Sequence, residues 1–258
     1  MSAPPKILRV RDPTKEEQTP SKHKPCHPHL PQIDGFGGGA LVLLISPVKT
    51  GKSTILSNLL LNKDFYDAQE RFSETHIMSN TIANDITSRY LKKAFTTYDS
   101  YSDHVISGLI QRQKSYEKED QPEIALIVDD CLGSVPLNGE LWKLCSRFRH
   151  FNFKLFCISS QNFKSVSVVA RQNATNVIIG SPFPNQTELA KVAESYGDLF
   201  GGEKKFLEIY RRATPNRYDF MHLDLQSNPP IAYSCFTKVV AVGDSISGGE
   251  EEKVEISE

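Results

Sequence analysis

The residues 46–54, SPVKTGKST, have the spacing of a loop that binds the phosphates of ATP. The usual pattern is G-x-x-x-x-G-K-[ST], and Ser46 stands at the position of the first glycine. Gly51 lets the backbone curl so that successive N–H groups face the phosphates, and the helix that follows adds its N-terminal dipole. Lys52 can reach the β- and γ-phosphates, and the Ser53 hydroxyl can ligate Mg²⁺. The predicted nucleotide-binding residues are Ser46, Pro47, Val48, Lys49, Thr50, Gly51, Lys52, Ser53 and Thr54.

Two adjacent carboxylates, Asp129 and Asp130, end the apolar run LIVDD. Alone this is a weak signal, because Asp often ends a strand as a turn residue. Combined with the loop, it predicts that Asp129 holds Mg²⁺ and that Asp130 orients and deprotonates the attacking water. One acid for the metal and one for water favour hydrolysis over transfer to an acceptor. Asp130 reaches one methylene less far than a glutamate would, which leaves the efficiency of this base open.

Three further polar residues could complete a hydrolytic site. Gln161 follows the apolar run KLFCISS and could sense the γ-phosphate and position water, or it could be a surface glutamine at the end of a strand. Arg149 and Arg171 lie before and after that segment. An arginine donated to a neighbouring subunit's γ-phosphate accelerates hydrolysis by several orders of magnitude, so either arginine could have that role. Ordinary surface charge is the alternative for each of them.

The elements that must position these residues alternate between strands and helices. The apolar runs predict strands at 40–45, 76–79, 123–129, 154–159 and 176–180. Helical spacing predicts helices after the loop and at 82–94, 101–118, 137–146 and 186–196. Residues 206–210 and 231–236 are predicted to extend the sheet. The alternation predicts an α/β fold with a mostly parallel sheet that helices cover on both faces.

Composition and the ends of the chain set the domain plan. Residues 1–34 are rich in proline, lysine and arginine and predict a flexible basic arm, residues 35–242 form the ATPase domain, and 243–258 predict an acidic disordered tail. His23, Cys26, His27 and His29 could bind a metal, but no second ligand cluster supports them.

The remaining compositional features exclude some classes of protein. Five cysteines without a C-x-x-C pair predict reduced thiols inside a cell. No apolar stretch approaches the roughly 20 residues of a membrane span, and no apolar signal segment begins the chain, so we expect neither. A net charge of -1 means that any contact with nucleic acid must come from a local patch.

Together these segments resemble the poxvirus-type genome-packaging ATPases of the FtsK–HerA superfamily, found in large DNA viruses, virophages and Maverick-type transposons. The resemblance covers roughly residues 40–240. The segments that carry it are SPVKTGKST, IVDD, SRFRHFNFKLFCISSQ and VVARQNATNVIIG.

The resemblance implies a RecA-like parallel sheet in which the strand before Gln161 lies between the loop strand and the acidic strand. It also implies a homo-oligomeric ring that pumps double-stranded DNA into a preformed capsid, with capsid or portal-vertex proteins as partners. The expected location is the host cell at the site of virion assembly, with the virion as a second location. The positions that match the family's functional residues are Lys52, Ser53, Asp129, Asp130, Gln161, Arg149 and Arg171. The departures are Ser46 and Pro47, which stiffen the start of the loop and leave its ATP affinity open.

Other functions stay open on the sequence. A cellular- or transposon-type DNA translocase without a capsid role would use the same residues. A nucleotide-binding scaffold that does not hydrolyse ATP is supported only by the departures at Ser46 and Asp130. A nucleotide kinase is disfavoured, because paired acids suit water and the sequence has no separate arginine-rich lid for an acceptor.

Overall fold

The alternating pattern of the sequence produces a layered α/β structure. The computed structural model describes residues 27–34, 38–82 and 89–244, and these contain nine strands and eight α-helices. The strands are β1 (Ala40–Ile45), β2 (Glu74–Ser79), β3 (Thr96–Tyr98), β4 (Ile124–Asp129), β5 (Phe153–Ser160), β6 (Asn176–Gly180), β7 (Phe220–Asp224), β8 (Ile231–Ser234) and β9 (Lys238–Val242). The helices are α1 (Lys52–Leu61), α2 (Ala68–Arg71), α3 (Arg89–Ala94), α4 (Asp103–Lys114), α5 (Glu140–Cys145), α6 (Val168–Asn173), α7 (Gln186–Tyr196) and α8 (Glu203–Ala213).

All nine strands join one sheet in the order β3-β2-β4-β5-β1-β6-β7-β8-β9. The pairs from β3 across to β6 are parallel, and the pairs from β6 to β9 are antiparallel. The predicted mostly parallel sheet is therefore confirmed. β5 lies between β1 and β4, with Leu44 opposite Ser159 and Ser159 opposite Asp129, so the carboxyl ends of these three strands meet at one edge.

The sheet is buried on both faces. In β1, Leu41, Leu43 and Ile45 belong to the core beneath α4 to α8, and the residues between them belong to the core beneath α1 to α3. Because neither face meets water, these strands read as continuous apolar runs rather than as alternating patterns. The helix after the loop buries the four apolar residues that its spacing indicated, which are Ile55, Leu56, Leu59 and Leu60.

The prediction of a strand at 206–210 is wrong. Phe206, Ile209, Tyr210 and Ala213 are all buried on one side of α8, which is the i, i+3, i+4, i+7 spacing of a helix. A segment of five residues is too short to show the helical period, so its apolar residues alone indicate a strand. The sheet is extended instead by β7, β8 and β9, of which only β8 lies in a predicted segment.

Two other predictions fall partly outside the described residues. Of the helix expected at 82–94, the structure describes α3 and the single residue Ile82. Of the expected arm, residues 27–34 pack on the domain: Ile33 is fully buried, and Asp34 pairs with Arg71. Residues 27–34 are therefore packed rather than flexible, and residues 1–26 and 245–258 lie outside the described residues.

Within the described ranges, no helix combines the length and apolar character needed to cross a membrane.

Candidate nucleotide-binding site

The phosphate-binding loop joins β1 to α1 at the carboxyl edge of the sheet. Ser46 N–H donates to the Ser160 carbonyl at 2.9 Å, so the β1–β5 pairing continues into the loop. Lys49 and Gly51 both have positive φ, of 62° and 90°. Gly51 precedes the first residue of α1, and no side chain caps this helix terminus. The first N–H groups of α1 are therefore not used by a capping side chain, and a helix N-terminus of this kind can bind an anion such as phosphate.

The departure at Ser46 is accommodated by packing. Its side chain is fully buried, and its hydroxyl contacts that of Thr50 within the loop. A Cβ atom at Gly180, the last residue of β6, would lie only 2.3 Å from the Ser46 hydroxyl oxygen. The serine therefore occupies the space that a glycine on the neighbouring strand leaves. Because its hydroxyl bonds within the loop, Ser46 adds no unpaired polar group to the site.

Two serines fix the carboxylate of Asp129. The Ser79 hydroxyl at the end of β2 donates to one Asp129 oxygen at 3.0 Å, and the Ser159 hydroxyl of β5 donates to the other. Asp129 is 5% exposed, so these bonds orient it in a setting where water competes little. Neither Ser79 nor a role for Ser159 was predicted from the sequence. Their position could have indicated a role at the site, since both are polar residues at the carboxyl ends of strands that flank β4.

The second acid, Asp130, lies against both Lys52 and Gln161. Its backbone has φ of 53°, in the left-handed region that aspartate adopts more readily than most residues. Its Oδ2 forms an ion pair with Lys52 Nζ and accepts a hydrogen bond of 2.8 Å from Gln161 Nε2. Lys52 Nζ also lies 3.5 Å from Asp129 Oδ1. The structure thus brings together four of the residues that the sequence selected from three separate segments.

The oxygen donors of the site suit Mg²⁺ better than they suit a metal ion whose ligands all come from the protein. Ser53 is the second residue of α1, next to Lys52, and Asp129 ends β4. The described residues contain no group of three or more His, Cys, Asp or Glu side chains that could hold a metal. Magnesium typically binds through one or two carboxylates, with substrate phosphates and water completing its shell. Ser53 and Asp129 would supply the protein ligands of such an ion.

The thiols near the site are not nucleophiles. Cys131 donates its S–H to the Asp129 carbonyl at 3.2 Å, and burial raises the pKa of its thiol to about 11. Burial also raises the pKa of Cys157, which lies on β5. Both stay protonated at neutral pH, where only a thiolate would attack. The four described cysteines are free thiols.

The two candidate arginines lie in different places. Arg149 is exposed and precedes β5, so the strand separates it from the Asp129 edge of the sheet by roughly 23 Å at 3.3 Å per residue. It does not belong to the site of its own chain. Arg171, on α6, is half-buried, and its guanidinium lies 5.0 Å from the centre of the Phe163 ring. Phe163 follows Gln161 by two residues, which places Arg171 nearer the acids.

Comparison with known proteins gives relatives of viral origin. No protein-family model matches the chain. Uncharacterized protein 075L of Invertebrate iridescent virus 6 is 26% identical over 202 residues, covering 75% of this chain and 74% of that protein. Uncharacterized protein 088R of Invertebrate iridescent virus 3 is 24% identical over 160 residues, and the match spans 57% of this chain and 55% of that protein.

Solved structures that match this chain include viral genome-packaging ATPases. B204, the DNA-packaging ATPase from Sulfolobus Turreted Icosahedral Virus, matches with a TM-score of 0.53 at 14% identity, over 75% of this chain and 96% of B204. The genome-packaging NTPase B204 from Sulfolobus turreted icosahedral virus 2, in complex with AMPPCP, matches with a TM-score of 0.52 at 16% identity, over 76% and 97%. The predicted α/β RecA-like fold of a P-loop NTPase is confirmed, and so, at the level of fold, is the resemblance to viral packaging ATPases.

Proposed function

We propose that this chain is an ATPase that couples hydrolysis to the movement of double-stranded DNA, and that it packages a viral genome into a preformed capsid. The observation that carries the proposal is the meeting of Lys52, Asp130 and Gln161 at one edge of the sheet. Lys52 would bind the γ-phosphate, Asp130 would take the proton of water, and Gln161 would hold that water in place. Nucleotide binding is further supported by the AMPPCP complex of a neighbour with the same fold.

In this proposal, a change of ion-pair partner at Lys52 couples the binding of ATP to its hydrolysis. Lys52 and Asp130 are an ion pair whose side chains are 11% and 15% exposed. A bound triphosphate competes with Asp130 for the lysine, because phosphate oxygens carry more charge than a carboxylate. Asp130 then loses its cation and becomes a better base, while the Gln161 hydrogen bond keeps it in position. Mg²⁺ would stabilise the charge that develops on the phosphates.

A ring of subunits gives the arginines their roles in the proposal. Arg149 lies too far from the acids of its own chain, so it could reach only a neighbour's nucleotide. Arg171 Nε is buried without a hydrogen-bond partner among the described residues, so the guanidinium could pair with a group from a second subunit. We propose that one of the two completes the active site of the adjacent subunit.

The packaging role draws on the viral origin of the relatives and on the DNA-packaging function of B204, which has the same fold. The proposed location is accordingly the site of virion assembly, with capsid or portal-vertex proteins and double-stranded DNA as partners. In this proposal residues 35–242 form the motor domain, and residues 1–34 and 243–258 are its basic and acidic extensions.

Phosphate release measured with and without linear double-stranded DNA tests the coupling. We expect DNA to stimulate release, and the stimulation to decline between about 50 and 200 mM salt as counterions compete for the phosphates. Lys52→Ala should abolish both basal and stimulated release. Lys63→Ala, which removes an exposed lysine just beyond α1, is the matched control and should behave as wild type. ATP hydrolysis that DNA leaves unchanged at every salt concentration would refute the coupling to DNA.

A further inference from the structure

An apolar cavity of about 510 Å³ opens beside the phosphate-binding loop. One wall comes from Gly51, which precedes α1, and from Thr54 and Asn58 of α1. The opposite wall comes from β7 and from the turn between β8 and β9. Its volume is in the range of sites that hold small molecules. None of the catalytic residues described above lines it.

The cavity and the acids lie on opposite sides of β1. In the sheet, β5 and β4 flank β1 on one side and supply Gln161, Asp129 and Asp130. The strands β6, β7 and β8 follow on the other side and lead to the cavity. In the proposed site the γ-phosphate of a bound triphosphate would lie at Lys52 and the acids, so the other end of the nucleotide would point away from them. Thr54, at the end of the loop motif, lines the cavity, which is therefore continuous with the loop.

The cavity wall is aromatic. The Phe220 and Phe236 rings meet with centroids 4.8 Å apart, and Phe65 packs against Phe236 at 6.0 Å. Tyr218 stands at the mouth: it is 54% exposed, and its ring carbon Cδ1 would lie 3.7 Å from a Cβ at Gly51. An exposed aromatic ring next to the loop offers a flat face to a planar ligand.

Backbone strain is concentrated at the same cavity. Among the described residues, seven other than glycine have positive φ, and three of them line this cavity: Tyr218 at 73°, Cys235 at 50° and Phe236 at 59°. Cys235 and Phe236 occupy both central positions of a tight β8–β9 turn, in which Thr237 N–H donates to the Ser234 carbonyl at 2.9 Å. Such turns ordinarily use Asn-Gly or Asp-Gly. Uncommon backbone conformations of this kind cluster at ligand sites.

We propose that this cavity binds the base of the nucleotide, with the base stacked on the ring of Tyr218. The inference rests on the proposed ATP site and names the subsite that holds the other end of the same ligand. Stacking on an aromatic face suits any base, because every base has a π-face. The phosphates are held by the loop, and the base is held by Tyr218 and the apolar wall behind it.

Binding of ATP and of inorganic tripolyphosphate, measured side by side, tests the proposal. Wild type should bind ATP more tightly, since tripolyphosphate lacks the base. Tyr218→Ala should weaken ATP binding by roughly 5- to 100-fold and leave tripolyphosphate binding unchanged. Tyr218→Phe, which keeps the ring, should retain the ATP affinity. Tyr116→Ala, at an aromatic residue that is 42% exposed and remote from the loop motif in sequence, is the control.

Cys235 provides a second readout that does not depend on a substitution at Tyr218. Its thiol is partly exposed within the cavity, whereas Cys131, Cys145 and Cys157 are buried. In a Cys26→Ser background, ATP should slow the alkylation of Cys235, and tripolyphosphate should not.

Four results would contradict the proposal, and the fourth is distinguishable from the other three. Equal affinity of wild type for the two ligands, or equal weakening of both by Tyr218→Ala, would overturn the base subsite and leave the loop's role intact. Alkylation of Cys235 that ATP does not slow would do the same. Failure of wild type to bind either ligand would overturn the ATP site itself, and the subsite with it.

Discussion

The fit between Ser46 and Gly180 can be tested by exchanging which of the two residues carries the side chain. The hydroxyl of Ser46 fills the space over Gly180, where a Cβ would come within 2.3 Å of the hydroxyl oxygen and 3.0 Å of the serine Cβ. Gly180→Ala therefore overpacks the junction of β1 and β6. Overpacking in a rigid core costs about 1–3 kcal/mol, and both residues lie in central strands or directly after them.

The double variant separates this clash from a general preference for glycine. Ser46→Gly alone removes the contact with the Thr50 hydroxyl and should cost about 1 kcal/mol. It also removes both serine atoms nearest the new Cβ, and leaves the Ser46 Cα at 3.4 Å, an ordinary contact distance. The double variant should therefore be more stable than Gly180→Ala, and the two changes should be non-additive by at least about 1 kcal/mol.

Urea unfolding followed by the fluorescence of Trp142, the chain's single tryptophan, measures these free energies. Trp142 is buried in α5, so its emission should change on unfolding. Gly180→Ala with a free energy of unfolding within about 0.5 kcal/mol of wild type would refute the packing argument. Strict additivity of the two substitutions would refute the compensation between them.

Three further predictions concern other parts of the structure. Gln161→Ala removes the donor to Asp130 and should lower kcat by about 10²-fold without weakening ATP binding, which steady-state kinetics beside a binding isotherm would check. Arg71→Met leaves two carboxylates without their shared cation and should cost about 3 kcal/mol in urea unfolding, whereas Arg89→Met at an exposed arginine should cost little. Burial lowers the pKa of His222 to about 3, below its unfolded value of about 6.5, so the folded state binds fewer protons between these values. Stability should fall there by up to about 1.4 kcal/mol per pH unit as pH decreases, and unfolding of His222→Asn at a series of pH values should show a shallower dependence.

The sequence was most informative where strands are buried on both faces. The runs at 40–45 and 176–180 match β1 and β6 residue for residue, because a strand covered on both faces has to be apolar throughout. The position of the candidate catalytic residues could be predicted from the same property. Polar residues at the ends of such runs meet at one edge once the strands are parallel, and this brought Lys52, Asp130 and Gln161 together.

The remaining features depend on contacts that are distant in sequence. Nothing near Ser46 reveals that Gly180 makes room for it, because the two residues meet only through the pairing of β1 with β6. The aromatic cavity has no local signal either, since its walls come from α1, β7 and the β8–β9 turn. The β8–β9 turn could not be predicted either, because Cys235 and Phe236 are not residues from which positive φ is expected.

The central claim is that Asp130 is the base of an ATP-hydrolysing site built around Lys52. Its most direct test is phosphate release by wild type and Asp130→Asn, measured beside ATP binding by both proteins. Asparagine keeps the shape of the side chain and cannot accept the proton of water. We predict that Asp130→Asn binds ATP at least as well as wild type and releases phosphate about 10²- to 10⁴-fold more slowly. Hydrolysis by Asp130→Asn at the wild-type rate would contradict the assignment.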